Sequence, residues 1–297
     1  MRFNKIFILG AGAIGSVLGA LLSRKNDVTL IGEEEHIEAI KSDGLRISGD
    51  VKETFQVKAK TRIKTIPPNS LLLLTTKAHQ SQKAISQIKK LLKKDTVILV
   101  LQNGLGNEDL MKKIIGKKCK IERGIVYSAS EFLEPGKIKC WLKKTILPSN
   151  KIGKEIAHIF KEAGLEAELK EEMEKEIWKK LVVNCVLGPL AALFKIRNNE
   201  VASKPLKKVR ELLIKECLEV ARAEGINING NFQREFEKKI STYTNYPSMC
   251  QDIIKGKKTE IDFLNGKILE LGKKHNLATP VNEVIYYLIK FLEEKNH

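Results

Sequence analysis

The sequence predicts an α/β protein in which a doubly wound parallel sheet is followed by an all-α C-terminal domain. Three observations lead to this prediction. Before residue 168, short β-rich runs alternate with helical stretches, which is typical of βαβ units. After it, long helical patterns follow with almost no strand signal. A chain of 297 residues is also long enough for two domains, and we place them at residues 1–168 and 169–297.

The elements follow in a regular order along the chain. The first domain should alternate strands KIFILG, DVTLIG, SLLLLTT and TVILVLQ with helices AIGSVLGALLSRK, EEHIEAIKSD, SQKAISQIKKLLKK and LGNEDLMKKII. The stretch SASEFLEPGKIKCWLKKTILP predicts antiparallel strands closing that domain, with Glu134-Pro135-Gly136 as the turn. In the second domain we expect helices over residues 171–194, 205–224 and 259–275.

The chain is strongly basic, with 53 Lys and Arg against 36 Asp and Glu and a formal net charge of +17. This excess first suggests nucleic acid. The lysines, however, are interleaved with Glu along every predicted helix, and no patch combines basic and aromatic residues. We therefore expect a solvated surface that attracts small anionic ligands, and no nucleic-acid partner.

The sequence lacks the patterns typical of membrane spans, cleavable leaders and metal-binding cysteines. The apolar runs SLLLLTT and DTVILVLQ are far shorter than the ~20 residues that cross a bilayer, so we expect no membrane partner. The N-terminus lacks a cleavable leader, and we expect a cytoplasmic protein. The five scattered cysteines form no C-x-x-C pair, which favours reduced thiols and no metal site.

The first functional motif is GAGAIG, which follows a predicted strand and opens a predicted helix. Its G-x-G-x-x-G spacing permits a tight turn, a close backbone approach to a pyrophosphate, and close helix packing. The helix N-terminus favours the negative charge. The sequence therefore predicts dinucleotide binding on a Rossmann-type domain, with a purely structural glycine turn as the alternative. The predicted contacts are Gly10, Ala11, Gly12, Ala13, Ile14 and Gly15.

Glu33 follows the next strand, about 20 residues beyond the glycines. An acidic side chain there can bind a ribose 2′-hydroxyl and should repel the 2′-phosphate of NADP, although Lys41 or Lys77 could compensate. An exposed Glu that caps the next helix is an equally good interpretation.

Two further strands run into polar residues, Thr76-Lys77 and Gln102-Asn103-Gly104. Ligands of open α/β sheets bind at this carboxyl edge. Lys77 could hold a cofactor phosphate, and Asn103 could reach the nicotinamide end and the substrate. The alternative for Asn103 is ordinary turn chemistry, since Asn-Gly is a turn dipeptide.

The stretch WKKLVVNCVLGPLAALF predicts a buried helix that nevertheless holds a lysine and an asparagine. Lys180 and Asn184 are four residues apart and share a face with Gly188 one turn further on. Burying such groups without partners would destabilise the protein, so they need partners or a role. A lysine whose ammonium reaches solvent is the alternative for Lys180.

Together, GAGAIG, TTKA, LQNG, KKLVVNCVLGPLAAL and SMCQDIIKGKKTEIDFLNG resemble the ketopantoate reductase (2-dehydropantoate 2-reductase) family over essentially the whole chain. The resemblance implies a Rossmann domain, a helical domain and an active site in the cleft between them. It implies reduction of 2-dehydropantoate to pantoate by a nicotinamide cofactor, NADPH in the family, in pantothenate and coenzyme A biosynthesis.

The resemblance also assigns residues. It implies that Lys180 is the catalytic proton donor and that Glu260 is a second catalytic residue that also contacts the cofactor. Two positions depart from the family pattern: Gly188 stands where an asparagine is frequent, and Glu33 where NADP-using members commonly have an arginine. NADH is therefore a second candidate cofactor. The implied substrate contacts are Asn103, Lys180, Asn184, Gly188, Asn198 and Ser248, and the implied cofactor contacts outside the loop are Lys77, Asn103 and Ala129.

The residue types suit a keto reduction independently of the resemblance. Hydride delivered to a 2-keto carbon builds charge on the carbonyl oxygen, and a partly buried lysine can supply the proton. Two other readings stay open, namely a reductase of a different 2-oxo acid and a dinucleotide-binding protein without turnover. Exposed faces of the helical domain would also allow a homodimer.

Overall fold

A computed structural model describes residues 3–228 and 230–295 of the chain. It divides into two compact units. The first comprises the residues through Gln102 together with Gly106–Met173, and the second comprises Asn103–Leu105 and the residues from Glu174 onward. The boundary predicted at residues 168 and 169 falls inside a strand, Ala167–Lys170, shortly before this division.

The first unit is built from strands and helices in alternation. Its helices are α1 (Ala13–Ser23), α2 (Glu34–Asp43), α3 (Ser81–Ile88), α4 (Asn107–Ile115) and α5 (Lys151–Glu162). Its strands are β1 (Lys5–Leu9), β2 (Val28–Ile31), β3 (Leu45–Gly49), β4 (Glu53–Phe55), β5 (Lys58–Lys60), β6 (Ser70–Leu74), β7 (Val97–Val100), β8 (Lys120–Arg123), β9 (Ile125–Val126), β10 (Ala129–Glu134), β11 (Lys137–Trp141), β12 (Thr145–Pro148) and β13 (Ala167–Lys170).

Six of these strands form one parallel sheet in the order β5-β2-β1-β6-β7-β8. This confirms the doubly wound sheet. Along β1, Ile6 and Ile8 belong to one apolar cluster and Phe7 and Leu9 to another, so both faces are covered. The order reverses between β1 and β6, and ligands of such sheets bind beyond the carboxyl ends of the strands at this switch point.

The antiparallel strands predicted near Glu134-Pro135-Gly136 are β10 and β11. Gly136 has a φ of +76°, as a tight turn requires. The structure adds pairings that the sequence analysis did not predict. β11 pairs in parallel with β3 and so extends a four-stranded sheet, β10-β11-β3-β4, while β13-β12-β9 form a third.

Within the described residues the second unit is helical throughout, which confirms the predicted all-α region. Its two longest helices lie within the predicted ranges 171–194 and 205–224. The helices are α6 (Met173–Phe194), α7 (Lys207–Ala223), α8 (Phe232–Ile240), α9 (Ser248–Ile254), α10 (Asn265–Lys274) and α11 (Pro280–Lys295).

The continuous helix predicted over residues 259–275 is wrong. A 3₁₀ turn spans Ile261–Phe263, and Leu264 then adopts φ −111° and ψ −104° before α10 begins. Thr259 does not continue a helical ladder, because its amide and hydroxyl both donate to the carboxylate of Glu293, 34 residues away. Glu260 therefore lies on an irregular segment.

Helix α6 is long and apolar enough, by length and composition, to cross a membrane. However, 67% of its most apolar 18-residue window is buried inside the protein, and the core helix of a globular protein meets the same criterion. One such helix is weak evidence for a span, and the absence of a membrane partner stays a prediction.

Candidate active site

The glycine loop joins β1 to α1 at the switch point of the sheet. Gly10 has a φ of +112°, and a Cβ there would lie 2.4 Å from the backbone nitrogen of Thr76. A Cβ on Gly15 would lie 2.1 Å from the carbonyl oxygen of Gly10. Gly12 is exposed, and no described atom lies within 4 Å of its ideal Cβ. The loop thus leaves open space at the N-terminus of α1, which fits a pyrophosphate.

Buried Gln102 ties the predicted strand ends together. Its Nε2 donates to the carbonyl oxygen of Thr76 at 2.7 Å and to the Thr76 hydroxyl at 3.1 Å. The Arg123 guanidinium donates to the carbonyl oxygen of Gln102 at 2.6 Å, so the ends of β6, β7 and β8 are linked. Half-buried Lys77 directly follows Thr76. Its role as a cofactor contact stays a prediction, as does that of half-buried Ala129 at the start of β10.

Glu33 is exposed and occupies the N-cap position of α2. Its side chain makes no capping hydrogen bond to that helix, whose residues are all described, so the capping interpretation gains no support from a contact. Lys41, which could compensate its charge, lies 2.7 Å from Glu38 Oε1 on the same helix. An exposed carboxylate just after β2 is the arrangement expected for a ribose contact.

Lys180 and Asn184 lie one turn apart on α6, and both side chains are half-buried. The third position of that face, Gly188, is buried. A Cβ there would lie 3.4–3.5 Å from the side chain of Met249. An apolar side chain therefore packs beside Gly188, where the resemblance implies an asparagine.

The segments that carry Asn198 and Ser248 are joined directly. Asn198 N–H donates to Asn245 O at 3.1 Å, and Arg197 Nη1 donates to Thr244 O at 2.7 Å. Asn198 is buried, and its Oδ1 accepts no hydrogen bond from the described part of the chain. Ser248 is exposed at the first residue of α9, two residues after Tyr246. The structure thus brings two of the predicted substrate contacts onto neighbouring segments.

Asn103 and Glu260 are in direct contact. Asn103 Nδ2 donates to Glu260 Oε2 at 3.3 Å, and residue Glu260 is 6% exposed. The next residues fix this contact, because Leu105 N–H donates to Phe263 O at 3.1 Å. Gly104 has a φ of +85°, and a Cβ there would lie 2.3 Å from Phe263 O. The Asn-Gly turn therefore places one predicted site residue against another.

A buried polar network behind α6 was missed by the sequence analysis. Pro189 lies inside α6 and has no N–H, so the carbonyl of Cys185 loses its helical donor. Asn265 Nδ2 donates to that carbonyl at 3.0 Å and lies 2.9 Å from Asn282 Oδ1. Asn282 in turn donates to Glu216 Oε2 at 2.8 Å. Pro189 was the available signal, since a proline within a helix leaves an acceptor that another side chain must satisfy.

All five cysteines are unpaired thiols, four of them buried and Cys119 half-buried. Burial raises the pKa of Cys119 to about 11 and that of Cys250 to about 11, in each case against a smaller lowering by a nearby lysine. Such thiols are protonated and unreactive near neutral pH. Within residues 3–228 and 230–295, no group of three or more His, Cys, Asp or Glu side chains could hold a metal ion.

Comparisons with known proteins cover nearly the whole chain. The model described as ketopantoate reductase PanE/ApbA matches residues 6–147, and its C-terminal counterpart matches residues 172–293. The 2-dehydropantoate 2-reductase of Pyrococcus horikoshii is 36% identical in an alignment of 299 positions that covers 97% of this chain and 97% of that one.

Solved structures agree. A PanE/ApbA family ketopantoate reductase from Ralstonia eutropha JMP134 has a TM-score of 0.91 at 29% identity, covering 98% of this chain and 99% of that one. A D-mandelate dehydrogenase with NADH and anilino(oxo)acetate has a TM-score of 0.89 at 30% identity, with the same coverage. Two family models match the chain, and a relative matches it over nearly the full length. This chain therefore belongs to the ketopantoate reductase family.

Proposed function

We propose that the protein reduces 2-dehydropantoate to pantoate with a nicotinamide dinucleotide, in pantothenate and coenzyme A biosynthesis. One observation carries the proposal: Lys180 and Asn184, both half-buried, lie one turn apart on α6. The bond from Asn103 to Glu260 within the same unit supports it. Relatives named 2-dehydropantoate 2-reductase, 36% and 38% identical over nearly their full length, support the choice of substrate.

The residues of the site divide the chemistry among them. A bound nicotinamide supplies hydride to the 2-keto carbon. Half-buried Lys180 donates an Nζ proton to the carbonyl oxygen as charge develops there. The buried carboxylate of Glu260 is the counter-charge that we propose for the lysine ammonium. Asn184, Asn198 and Ser248 hold the carboxylate and hydroxyl oxygens of the substrate in the reactive orientation.

The two predicted domains take separate tasks in this proposal. Residues 1–168 bind the dinucleotide through the glycine loop, whose open space at Gly12 fits a pyrophosphate. Residues 169–297 bind the 2-oxo acid and supply the proton. Glu33, Lys77, Asn103 and Ala129 are the further cofactor contacts that we propose.

NADH is a cofactor of this protein in our proposal, alongside the NADPH that the family resemblance implies. The exposed Glu33 carboxylate supports it, because a negative charge there binds a ribose hydroxyl and repels a 2′-phosphate. The D-mandelate dehydrogenase structure, which is similar over 98% of this chain, was solved with NADH.

A different 2-oxo acid is the second candidate substrate. The same D-mandelate dehydrogenase was solved with anilino(oxo)acetate, and Met249 makes the surroundings of Gly188 apolar in this chain. An apolar environment at that position would suit a larger apolar substituent on the 2-oxo acid. A dinucleotide-binding protein without turnover has less support, since binding alone has little need for a proton donor at Lys180.

A homodimer through the second unit is a further part of the proposal. Helix α11 carries four large apolar side chains that are 43–59% exposed, and their spacing places them on one face: Val284, Tyr287, Leu288 and Phe291. Such a stripe is typical of a surface that pairs with another copy. Sedimentation of wild type and Leu288→Glu tests it, with Leu133→Glu as the control. A wild-type monomer at micromolar concentration would contradict the dimer.

The decisive experiment is a steady-state assay of the purified protein with 2-dehydropantoate and with a panel of aryl and alkyl 2-oxo acids, each with NADH and NADPH. The largest kcat/KM should belong to 2-dehydropantoate. A larger kcat/KM for another acid would show that this acid, and not 2-dehydropantoate, is the preferred substrate. If no acid supports oxidation of NADH or NADPH, the proposal that the protein is a reductase is wrong. The protein should show no salt-sensitive binding to DNA and no binding to lipid vesicles, and we expect it in the cytoplasm.

A further inference from the structure

Glu293 is a buried acidic residue near the end of α11, and its side chain is 7% exposed. A carboxylate at such a position is unfavourable unless hydrogen bonds compensate the lost hydration. Its Oε1 accepts from the Thr259 amide and from the Thr259 hydroxyl, each at 2.7 Å, and its Oε2 lies 3.0 Å from Lys290 Nζ. Two of these three contacts are thus made to the residue that immediately precedes Glu260.

A second anchor lies on the other side of Glu260. The Tyr286 hydroxyl donates to Asp262 Oδ1 at 2.8 Å, and Lys290 Nζ lies 3.5 Å from the same oxygen. Tyr286, Lys290 and Glu293 are spaced by four and three residues, so they lie on one face of α11. That face therefore holds the segment 259–262 at both ends.

Glu260 depends on these anchors because no regular helix holds it. The Ile261 amide donates to the Thr259 hydroxyl at 3.1 Å, and a short 3₁₀ turn follows. The backbone at Glu260, with φ −100° and ψ 21°, is set by side chains that reach it from α11. Outer contacts of this kind orient the groups that do chemistry, and a shift of about 1 Å can cost ~10²-fold in rate.

We propose that Glu293 is a positioning residue that holds Glu260 in place through Thr259, without touching substrate or cofactor. The inference rests on the proposed function, because it assumes that Glu260 contributes to the reaction. It adds a residue 33 positions from Glu260 that no motif in the sequence indicates.

A double-mutant cycle tests this positioning role. In the wild-type background, Glu293→Leu removes the acceptor and should lower kcat by ~10–100-fold. In a Glu260→Gln background the same change should lower kcat by less than about 3-fold, because the group it positions is already lost. Glu293→Gln keeps one acceptor oxygen for Thr259 and should restore most of the activity.

Two controls separate positioning from a general loss of stability. Ile289→Ala truncates a fully buried side chain of the same helix and should lower the Tm while leaving kcat nearly unchanged. Thr259→Val removes one of the two hydrogen bonds to Glu293 and should also lower kcat. This variant replaces Glu293→Leu in the test if Glu293→Leu does not fold. Equal losses in both backgrounds, or an unaffected kcat in Glu293→Leu, would overturn the positioning role alone. Inactive wild type would overturn the proposed function as well.

Discussion

Asn103 and Glu260 are 157 residues apart in the chain, yet the amide of one donates to the carboxylate of the other at 3.3 Å. Asn103 follows a strand of the parallel sheet, and Glu260 precedes the turn that leads into α10. The strand-end position of Asn103 and the family resemblance of Glu260 predict separately that each lies in the cofactor and substrate region. Their contact supplies a geometric reason for grouping them, because a donor from the strand-end loop fixes the direction of the carboxylate.

Replacing Asn103 by Asp should give a pH-dependent enzyme. Two carboxylates in contact cannot both ionise easily, so the pair takes up a proton with a raised apparent pKa. Below that pKa the shared proton replaces the lost amide bond, and above it repulsion displaces Glu260. Activity of Asn103→Asp relative to wild type should fall as the pH rises, whereas Asn103→Ala should lose activity uniformly. Profiles of kcat from pH 5 to 9 would show the difference, and parallel profiles for the two variants would contradict it.

Lys180→Ala should lower kcat by ~10²–10⁴-fold, the usual contribution of a positioned general acid. Cofactor affinity, measured by fluorescence titration, should change little, because Lys180 acts on the substrate oxygen. Lys179 is the matched control, since it is the adjacent residue of α6 and lies 2.7 Å from Glu176 Oε1. Lys179→Ala should keep kcat within about 3-fold of wild type. An almost unchanged kcat in Lys180→Ala would remove the proton-donor role.

Glu33→Arg should shift the cofactor preference towards NADPH. The change replaces a charge that repels the 2′-phosphate by one that binds it. The ratio of kcat/KM for NADPH over NADH should rise at least about 10-fold, which corresponds to ~1.4 kcal/mol. Glu34→Arg, at the neighbouring exposed position of α2, is the control and should change the ratio much less. A wild type that is already strongly NADPH-selective would contradict the role given to Glu33.

His36 should make the first unit sensitive to acid. Burial lowers the pKa of His36 to about 4. Its Nδ1 accepts from the Gly136 amide at 2.9 Å, so the proton of the neutral ring is on Nε2, 3.0 Å from Ser16 Oγ. Because the unfolded chain has the higher pKa, near 6.5, it binds more protons, and stability is lost as the pH falls from about 6.5 towards 4. The loss from this group is at most about 3 kcal/mol.

Urea unfolding between pH 7.5 and 4.5 measures this effect. His36→Gln should be less stable than wild type at pH 7.5, and the difference should shrink as the pH falls through the window, since only wild type carries the titrating group. His158→Gln is the control, because that histidine is exposed on α5. If the free energies of unfolding of His36→Gln and wild type differ by the same amount at every pH, the lowered pKa of His36 is contradicted.

The sequence predicted the elements whose pattern is local and missed those that depend on distant partners. The shared face of Lys180 and Asn184 follows from helical spacing alone. The glycine spacing is also a local motif, and the closest contact that excludes a Cβ at Gly15, with the carbonyl oxygen of Gly10, lies within one βα unit. The irregular segment around Glu260 could not be predicted, because it depends on hydrogen bonds from Thr259 to Glu293 on another helix.

The same reason explains the missed pairings. β3 and β11 lie about 90 residues apart, and short strands of this kind carry little periodicity to indicate a partner. No local sequence pattern predicts the network of Asn265, Asn282 and Glu216. Pro189 indicates only that the carbonyl of Cys185 needs a donor from outside the helix. Long-range polar contacts, more than helix or strand propensity, complete this site.

Two substitutions of Gly188 provide a final test. Alanine should raise the stability of the protein, whereas asparagine should lower it and change the substrate specificity. A Cβ at Gly188 would make only ordinary contacts with Met249, at 3.4–3.5 Å, so Gly188→Ala should raise stability by up to ~1 kcal/mol through lower backbone entropy in the unfolded chain. Gly188→Asn must displace Met249 and should lower the Tm. By adding an amide beside Asn184, it should also raise the ratio of kcat/KM for 2-dehydropantoate over an aryl 2-oxo acid. The double variant Gly188→Asn, Met249→Ala relieves the crowding and should recover stability while keeping the shifted ratio. An unchanged ratio in both variants would show that this position does not contribute to substrate choice.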